Sequence, residues 1–396
     1  MGLGLLSENK VELGVVAFAD VNDVIRKDVD GIKQWLFPVK YSYGINGLPS
    51  DKLLKKIVNI VDIFEPDLIH IWGTESFWGL VSSRKYFNQN IPVLLEMQGM
   101  KKAISRYFAA DLSTREMFAC VGIKEIIKRE IIVTNRKTFL KWGAFEEEVI
   151  KNHCYIDVQS NWMSAYVKSI NQNAVLFYVD LSLRTPFYHS KPWSEFISER
   201  EEISSPYIFI SSSGSAPYKG IHVAIRVLAE IKNRYPNMRL HIAGSIQRIG
   251  IRQEGYIRWV NRLSKKFNVS NSIDWLGPMS DEEMVKELQY CSVNLVCSFV
   301  ESYCLALAEA MYLGVPCVTT FTGGTSWIAK NNTNALFYPP GDVVMCAGNI
   351  LSILDDSTLA NNLSIRARRD SIKRHNLQSI ISRQMQIYNS VISNWQ

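Results

Sequence analysis

Short runs of apolar and β-branched residues alternate with helical stripes along almost the whole chain. Between these runs, stretches such as Ser50–Ile63 repeat apolar residues at i, i+3, i+4 and i+7, the period of a helix with one buried face. The alternation predicts the α/β fold class, with parallel sheets flanked by helices. The runs that predict strands are Val11–Ala19, Asp67–Trp72, Val93–Met97, Tyr155–Ser160, Ala174–Val179, Tyr207–Ser211, Leu240–Ala243, Ile273–Leu276, Val293–Cys297 and Cys317–Thr320.

The alternation fails between Leu181 and Ser205, where two prolines and many charged residues interrupt any period. Such a stretch is typical of a hinge between domains. A chain of 396 residues also suits two domains of roughly 150–200 residues. We therefore predict an N-terminal Rossmann-like domain over 1–190, a C-terminal one over 191–374, and a long amphipathic helix over 375–396.

Composition narrows the class of protein. An apolar content of 47% with 21% charged residues describes a globular chain. Its seven cysteines are scattered, without a Cys-x-x-Cys pair, which favours reduced thiols in a cytoplasmic protein over disulfides or a zinc site. No apolar run approaches the roughly 18 residues of a membrane span, and no signal peptide is visible.

The segment Lys101–Lys141 is strongly basic. It has ten Lys or Arg against four acids, an excess equal to the net charge of +6 of the whole chain, and aromatic residues lie among them. One interpretation is a solvated helical face whose apolar side lies in the core. The other is contact with an anionic membrane, at the inner face of the cell membrane, or with a lipid-linked substrate. No nucleic-acid reading motif is present, so no nucleic-acid partner is predicted.

The stretch Val296–Thr325 is the strongest candidate for a site. It predicts a strand, a turn holding Glu301, a helix holding Glu309, a Gly-x-Pro stop, a second strand and a Gly-Gly loop. Glu301 follows the carboxyl end of a parallel strand, where such sheets bind ligands, and Glu309 lies about two turns along the next helix. A glutamate at a helix start is also favourable for the helix dipole alone.

The pattern Glu301-Ser-Tyr-Cys-Leu-x3-Glu309-Ala-Met-x2-Gly314-x-Pro316, followed by Gly323-Gly324, resembles a known signature. It is the Glu-x7-Glu motif of retaining GT-B glycosyltransferases of the glycosyltransferase 4 family (group 1). In the second half, three further motifs fall in the expected order: Lys219-Gly220, Ala243-Gly244-Ser245 and Leu276-Gly277. In the first half, residues 66–75 and Met97-Gln98-Gly99 are similar to a bacterial surface-polysaccharide branch of the family. The resemblance implies two doubly wound domains facing a central cleft, with the C-terminal helix crossing back to the N-domain.

The resemblance also implies an activity. The family moves a hexose from a nucleotide-diphosphate sugar, of UDP or GDP type, to an acceptor hydroxyl with retention of configuration. It needs no metal and no cofactor beyond the sugar nucleotide. A lipid-linked or glycan acceptor in surface or capsular polysaccharide or other glycoconjugate biosynthesis is expected. Two alternatives stay open: a catalytically impaired GT-B protein that binds donor or partners, and a GT-B nucleotide-sugar epimerase.

Residue roles carry over from the family by position. Glu301 would contact the donor sugar and stabilise positive charge at its anomeric carbon, and Lys219 would neutralise the leaving phosphate. Glu309 would accept from the ribose hydroxyls. The backbone at the helix start would bind the diphosphate. The remaining donor-side residues are Gly214, Ser215, Gly244, Ser302, Tyr303, Cys304 and Leu305, and the acceptor-side residues are Gln98, Gly99 and Glu75.

Three features depart from the family pattern. Ser215 stands where an arginine usually partners the lysine, so Arg248 or Arg252 would have to supply the second cation. Gln98 stands where many members have a histidine, and an amide can bond a sugar but cannot take a proton. The chain also begins inside the family's first helix, without the strand and glycine-rich loop before it. We expect the true start to lie upstream.

Overall fold

The computed structural model describes residue 5 and residues 11–38, 47–202, 205–211, 214, 216–244 and 254–395. These residues form two compact units. The first unit comprises Met1–Lys102, Leu140–Ser182 and His375–Gln396, and the second comprises Ala103–Phe139 and Leu183–Arg374. The chain thus passes between the units inside the stretch predicted as a hinge.

The observed division differs from the predicted one, because the second unit begins at Leu183 rather than at residue 191 and also includes residues 103–139. The reason for the second difference is a set of acidic side chains in this segment, Asp111, Glu116 and Glu125. They bond to residues of the second-unit helices Ile221–Lys232 and Gly255–Lys266. These partners lie more than 100 residues further along the chain, so no local pattern indicates them.

The strands are numbered here in chain order. They are β1 (Gly14–Ala19), β2 (Ile25–Val29), β3 (Ile32–Pro38), β4 (Ile69–Trp72), β5 (Val93–Glu96), β6 (Tyr155–Asp157), β7 (Val175–Phe177), β8 (Tyr207–Ile210), β9 (Arg239–Ala243), β10 (Ile273–Gly277), β11 (Val293–Leu295), β12 (Cys317–Thr320) and β13 (Leu336–Tyr338). The α-helices are Asp51–Phe64, Trp78–Ser83, Lys101–Tyr107, Thr114–Ala119, Ile123–Lys128, Ile132–Lys151, Asn161–Ile170, Thr185–His189, Ile197–Glu201, Ile221–Lys232, Gly255–Lys266, Asp281–Tyr290, Leu305–Leu313, Thr325–Ile328, Val343–Asp355, Ser357–Arg374 and Leu377–Trp395. Short 3₁₀ turns cover Trp193–Phe196, Pro217–Lys219 and Ser270–Ser272.

The described residues of the first unit form two sheets. One has the order β1-β3-β2, with β1 parallel and β2 antiparallel to β3, and the other is the parallel sheet β4-β5-β6-β7. The hairpin β2–β3 was not predicted. Its turn is Asp30-Gly31, and both residues have positive φ, as the tight turn of a two-residue hairpin requires.

The final helix, Leu377–Trp395, belongs to the first unit, as predicted. Its apolar stripe, represented by Ile380, Ile387 and Val391, is buried in one cluster with Leu94 of β5 and Tyr155 of β6. This contact explains why the chain returns to the first unit after completing the second. A helix with one apolar face is stable only when that face is covered.

The second unit contains a six-stranded parallel sheet with the order β10-β9-β8-β11-β12-β13. Counted within the unit this is the order 3-2-1-4-5-6 of a doubly wound fold. The direction of winding changes between β8 and β11, and ligands of such sheets bind beyond the strand ends at that point. Gly214 follows β8 and Glu301 follows β11, so the fold brings the predicted donor-side loops to this position.

No single helix among the described residues is long and apolar enough to cross a membrane. One bent pair, Val343–Asp355 with Ser357–Trp395, meets that requirement by length and composition alone.

Candidate functional site

Lys219 and Glu301 form an ion pair beyond the ends of β8 and β11. The Lys219 Nζ donates to Glu301 Oε1 over 2.7 Å, and both side chains are largely buried. Burial lowers the pKa of Lys219, but the charge of Glu301 and the hydrogen bond to it outweigh burial, so the pKa is raised overall. The lysine therefore remains a cation, ready to contact an anionic ligand in a poorly hydrated place.

Backbone contacts fix the loops that carry this pair. The N–H of Phe299 donates to the carbonyl of Tyr218 over 2.8 Å, which ties the Glu301 turn to the 3₁₀ turn that holds Lys219. Gly220 has φ +73° and lies against the carbonyl of Cys297, so a side chain there would collide with backbone. The Lys219-Gly220 motif thus permits a close approach of the two loops.

The start of helix Leu305–Leu313 lies shortly after Glu301. Its N-cap is Cys304, whose φ of +80° is rare for a residue with a side chain. On the other side, the N–H of Gly324 donates to the Glu301 carbonyl over 2.9 Å, and Gly324 packs on the backbone of Ser302. The helix start and the Gly-Gly loop are therefore joined, and the first backbone N–H groups of a helix favour an anion.

Glu309 lies inside this helix and is almost fully buried, with an arginine as its partner. Arg184 donates from Nε and Nη2 to the two Glu309 oxygens, each over 2.6 Å, and from Nη1 to Asp281 over 2.7 Å. Burial raises the pKa of Glu309, and the charge and hydrogen bonds of Arg184 offset part of that rise. The pKa of Arg184 is raised by the hydrogen bond to Glu309, so the guanidinium stays charged.

Sequence reasoning missed Arg184 and Asp281. Arg184 falls in the stretch predicted as a hinge, and its partner Glu309 is 125 positions away. Asp281 opens a helix with a capping box formed by Ser280 and Glu283, a feature that accounts for acids there without a site. Neither residue carries a local signal that could have indicated the contact with Glu309.

The remaining donor-side residues are partly brought together. Gly214 lies beside the Lys219 side chain, and a Cβ on it would be 3.7 Å from Lys219 Cγ. Gly244 follows β9 with φ +90° and donates its N–H to the Gly277 carbonyl over 2.7 Å. Tyr303 is buried, and Leu305 is half-buried at the helix start. Ser215, and with it Arg248 and Arg252, lies outside the described residues.

The predicted acceptor-side residues meet in the first unit. Lys101 Nζ donates to Glu75 Oε1 over 3.1 Å. A Cβ on Gly99 would be 2.9 Å from the same oxygen, and a Cβ on Gly73 would be 3.2 Å from Gln98 Oε1. These residues follow β4 and β5, so Glu75, Gln98 and Gly99 form one cluster at the carboxyl ends of neighbouring parallel strands.

A buried carboxyl group, Glu146, supports this cluster. It accepts from the Thr74 hydroxyl over 2.7 Å and from the Lys101 backbone N–H over 2.8 Å. Burial raises the pKa of Glu146 to about 7, although these hydrogen bonds and the Lys101 charge oppose the rise. Glu146 was not predicted, yet its spacing from buried Gly143, Val149 and Ile150 on one helix face is a signal that could have found it.

The cysteine side chains differ in their exposure to solvent. Six of the seven cysteines are buried, and burial raises the pKa of each, to about 12 for Cys120, Cys297 and Cys317. Cys154, immediately before β6, is exposed. Among the described residues no group of three or more His, Cys, Asp or Glu side chains is placed to hold a metal ion.

Solved structures with the same architecture define the class of fold. The chain superposes on sucrose-phosphate synthase from Thermosynechococcus elongatus with a TM-score of 0.72 and 18% identity, covering 99% of this chain and 92% of that one. Anabaena Alr3699/HepE, solved with UDP and glucose, gives a TM-score of 0.68 and 15% identity, covering 98% and 94%. Together with the sheet order, these likenesses confirm the predicted α/β fold of the GT-B type.

The sequence of the second unit resembles a known family. Residues 194–370, somewhat less than half of the chain, match the model of the family described as "Glycosyl transferases group 1". Among curated relatives, the glycogen synthase of Mycobacterium tuberculosis is 26% identical over 170 residues, which is 43% of this chain and 39% of that protein. The chain thus matches about two fifths of the length of this relative. Glu301, Glu309 and Lys219 all lie within the segment that matches the family.

Proposed function

We propose that the chain is a retaining hexosyltransferase that uses a nucleotide-diphosphate sugar. The Lys219–Glu301 ion pair at the point where the sheet changes direction is the observation that carries the proposal. A pyrophosphate needs a cation and backbone N–H groups, and Lys219 and the start of helix Leu305–Leu313 supply them on either side of Glu301. A sugar held there would place its anomeric carbon near the Glu301 carboxylate.

Lys219 takes the role that a divalent cation has in other phosphate sites. The lysine holds its charge when buried against Glu301, and a phosphate arriving there would compete for the same ammonium group. Donor binding would thereby loosen the ion pair and free Glu301 to accept from sugar hydroxyls. We infer a reaction that needs no metal, which assays with and without a chelator would test.

Glu309 is proposed to accept from the ribose hydroxyls while it remains bonded to Arg184. A carboxylate has about four lone-pair positions, and the two bonds from Arg184 occupy two of them. The remaining positions can accept from two hydroxyls. Arg184 then acts as a positioning residue that orients Glu309 and favours its charged form.

The first-unit cluster of Glu75, Gln98 and Gly99 is proposed to contact the acceptor. Gln98 is exposed and Glu75 is half-buried, so both can reach a ligand. Their amide and carboxylate oxygens accept from sugar hydroxyls. The acceptor would be a glycan or a lipid-linked sugar in surface or capsular polysaccharide or other glycoconjugate assembly. The protein would act in the cytoplasm, peripherally at the inner face of the cell membrane through residues 101–141.

The nucleotide is proposed to be of UDP or GDP type. The Anabaena neighbour was solved with UDP and glucose, and its fold is similar to that of this chain, although identity is only 15%. The direct test is a panel of UDP- and GDP-sugars, with release of free nucleotide as the readout in the presence of glycan acceptors. The anomeric configuration of the product, read by nuclear magnetic resonance, tests retention.

Variants Glu301→Gln and Glu309→Gln are the key comparison in that panel. We expect both to lose release, because Gln cannot supply the same negative charge, while Glu282→Gln on an exposed helix position behaves as wild type. Nucleotide binding without turnover in the wild-type chain would favour a donor-binding protein instead. Conversion of the donor to an epimer without transfer would favour the epimerase.

A further inference from the structure

Two short helices of the basic segment, Thr114–Ala119 and Ile123–Lys128, expose apolar side chains to solvent. This pair of helices is called the helical hairpin below. Between 62% and 75% of the surface of each of four large side chains is exposed: Phe118, Ile123, Ile126 and Ile127. Such a cluster is unusual on a surface, because exposed apolar residues are ordinarily scattered singly.

The second helix exposes its apolar residues and buries a charged one. In Ile123–Lys128 the isoleucines face solvent, and Glu125 is the one buried residue. Glu125 accepts from the Gly255 N–H over 2.9 Å and lies 3.5 Å from Arg258 Nη2. These bonds hold the helix in an orientation that leaves apolar area exposed. The helical hairpin thus does not fit the interpretation as a solvated face with its apolar side in the core, although Ala103, Phe108 and Leu112 of the same basic segment are buried as that interpretation expects.

Three of the four acids of the segment are bonded to the rest of the second unit. Asp111 accepts from His222 over 2.5 Å, and Glu116 accepts from Arg226 over 3.0 Å. Like Glu125, these acids are bonded to the body of the second unit. On the outside, Lys128 and Arg129 are exposed next to the isoleucines, together with the remaining acid of the segment, Glu130. The outer surface of the helical hairpin therefore combines apolar and positively charged groups.

A cavity of about 310 Å³ adjoins the helical hairpin. Arg258, Arg262 and Lys265 line it from one face of helix Gly255–Lys266, and Trp275 lines it from the edge strand β10. Arg262 donates to the Ala119 carbonyl, and Arg258 lies against Gly122 in the turn of the helical hairpin. The cationic cavity and the apolar surface are thus joined by direct contacts.

We propose that the helical hairpin docks on a bilayer of anionic lipids, with its isoleucines among the acyl chains and a headgroup phosphate in the adjoining cationic cavity. The proposal deepens the membrane contact included in the proposed function, and it rests on that function only for the identity of the acceptor. Apolar side chains ringed by Lys and Arg suit the boundary between headgroups and acyl chains. A protein partner or a second copy would bury the isoleucines equally well but would not by itself require the cationic rim.

The test is sedimentation of the full chain with vesicles, without donor or acceptor. We expect binding to vesicles of phosphatidylcholine mixed with phosphatidylglycerol, weak binding to phosphatidylcholine alone, and loss of binding at high salt. Because no reaction is measured, failure here leaves the transferase proposal untouched. Failure of the donor panel, in turn, does not affect the vesicle result.

Two substitutions separate the parts of the surface. The double variant Ile126→Ser/Ile127→Ser is expected to bind anionic vesicles at least about tenfold more weakly, and both positions are exposed, so the fold should persist. Val344→Ser, at an exposed residue of another helix, is the matched control. Lys265→Glu should weaken binding to anionic vesicles, whereas Lys266→Glu makes the same charge change outside the cavity lining and should weaken it less.

Equal binding to neutral and anionic vesicles would overturn the headgroup part of the proposal. If the Ile126→Ser/Ile127→Ser variant binds anionic vesicles as tightly as the wild type does, the part of the proposal that concerns the helical hairpin is overturned. Absence of vesicle binding, with a dimer in solution that Ile126→Ser/Ile127→Ser dissolves, would show that a second copy covers the surface instead. Thermal unfolding of each variant separates a lost surface from a lost fold.

Discussion

In the second unit, the carboxylates of Glu301 and Glu309 each accept hydrogen bonds from a cationic side chain. In the first unit, Glu146 accepts from a hydroxyl and a backbone N–H, while the ammonium group of Lys101 bonds to Glu75. Burial raises the pKa of Glu309 and Glu146 alike, but only Glu309 has a bidentate guanidinium to offset the rise. The comparison shows that a guanidinium offsets part of the effect of burial on Glu309, whereas burial brings the pKa of Glu146 to about 7.

Removing Lys219 from its ion pair with Glu301 in the second unit should give the largest effect. Lys219→Ala leaves the largely buried Glu301 without its partner, and it removes the cation that we propose neutralises the leaving phosphate. We expect turnover to fall by about 10²–10³, the usual loss for one preorganised electrostatic contact. Release of nucleotide in single-turnover assays measures it. Lys286→Ala, an exposed helix position in the same unit, is the control, and unchanged turnover in Lys219→Ala would contradict the assignment.

The raised pKa of Glu146 can be tested through the pH dependence of the free energy of unfolding. The pKa of Glu146 is about 7 in the folded state against 4.5 for a free glutamate, so the folded state holds the proton more tightly. Its contribution to the free energy of unfolding is present below pH 4.5 and is lost as the pH rises to about 7. A difference of this size corresponds to about 3 kcal/mol.

Glu146→Gln should remove this pH dependence, because Gln resembles the protonated acid: its amide oxygen can accept from the Lys101 N–H, and its NH2 group can donate to the Thr74 hydroxyl. Urea unfolding at several pH values between about 4.5 and 7.5 gives the measurement. Glu147→Gln, the neighbouring position that bonds Lys102, should keep the wild-type slope. A slope that survives in Glu146→Gln would show that another group causes it.

Arg184→Gln would make the surroundings of Glu309 similar to those of Glu146, because Glu309 would then lack its guanidinium partner. The pKa of Glu309 should rise further, and its neutral form would accept more weakly from ribose hydroxyls. We expect nucleotide affinity near pH 7.5 to fall by about tenfold, since hydrogen bonds to charged groups are worth about 1.5–3 kcal/mol. Titration calorimetry with the nucleotide measures it.

Arg184→Lys should recover part of that affinity, because it restores the charge but not the two-pronged contact. Wild-type affinity in Arg184→Gln would show that Glu309 does not contact the nucleotide, or that water replaces the lost hydrogen bonds to it.

The smallest effect is expected at Gln98. Gln98→Ala removes one exposed amide of the first-unit cluster and should lower transfer about threefold to tenfold, the cost of one neutral hydrogen bond. Nucleotide affinity should be unchanged, since Gln98 belongs to the other unit. Transfer assays with varied acceptor, together with calorimetry, separate the two quantities. A loss of nucleotide affinity would argue against the separate roles.

Local sequence predicted the second unit well. Helix Leu305–Leu313 and strand Cys317–Thr320 have the predicted bounds, because a Gly-x-Pro stop separates two apolar runs of clear length. The Lys219–Glu301 contact could have been predicted, because both residues follow strands whose carboxyl ends meet at the same edge of the sheet. The hairpin β2–β3 was missed although Asp30-Gly31 is a strong turn signal. β2 is mostly exposed and β3 mixes polar and apolar residues, so the apolar pattern of the hairpin is weak.

Three other contacts between distant parts of the chain could not be predicted. Arg184 meets Glu309, Glu146 meets Thr74, and Glu125 meets the Gly255 backbone, each across 72 or more positions. In each case a polar residue takes a buried place because a partner from another element satisfies it. Such partners depend on tertiary packing, which hydrophobic period and turn chemistry do not encode.

The distribution of thiols makes the native chain suitable for labelling at one position. A maleimide reacts with accessible thiolates, and burial keeps the other six cysteines, including Cys304 at the helix start, protonated and covered. A dye would therefore attach at Cys154, in the first unit, and leave the second-unit site chemically intact. Fluorescence measurements of nucleotide or vesicle binding would then require no cysteine substitution.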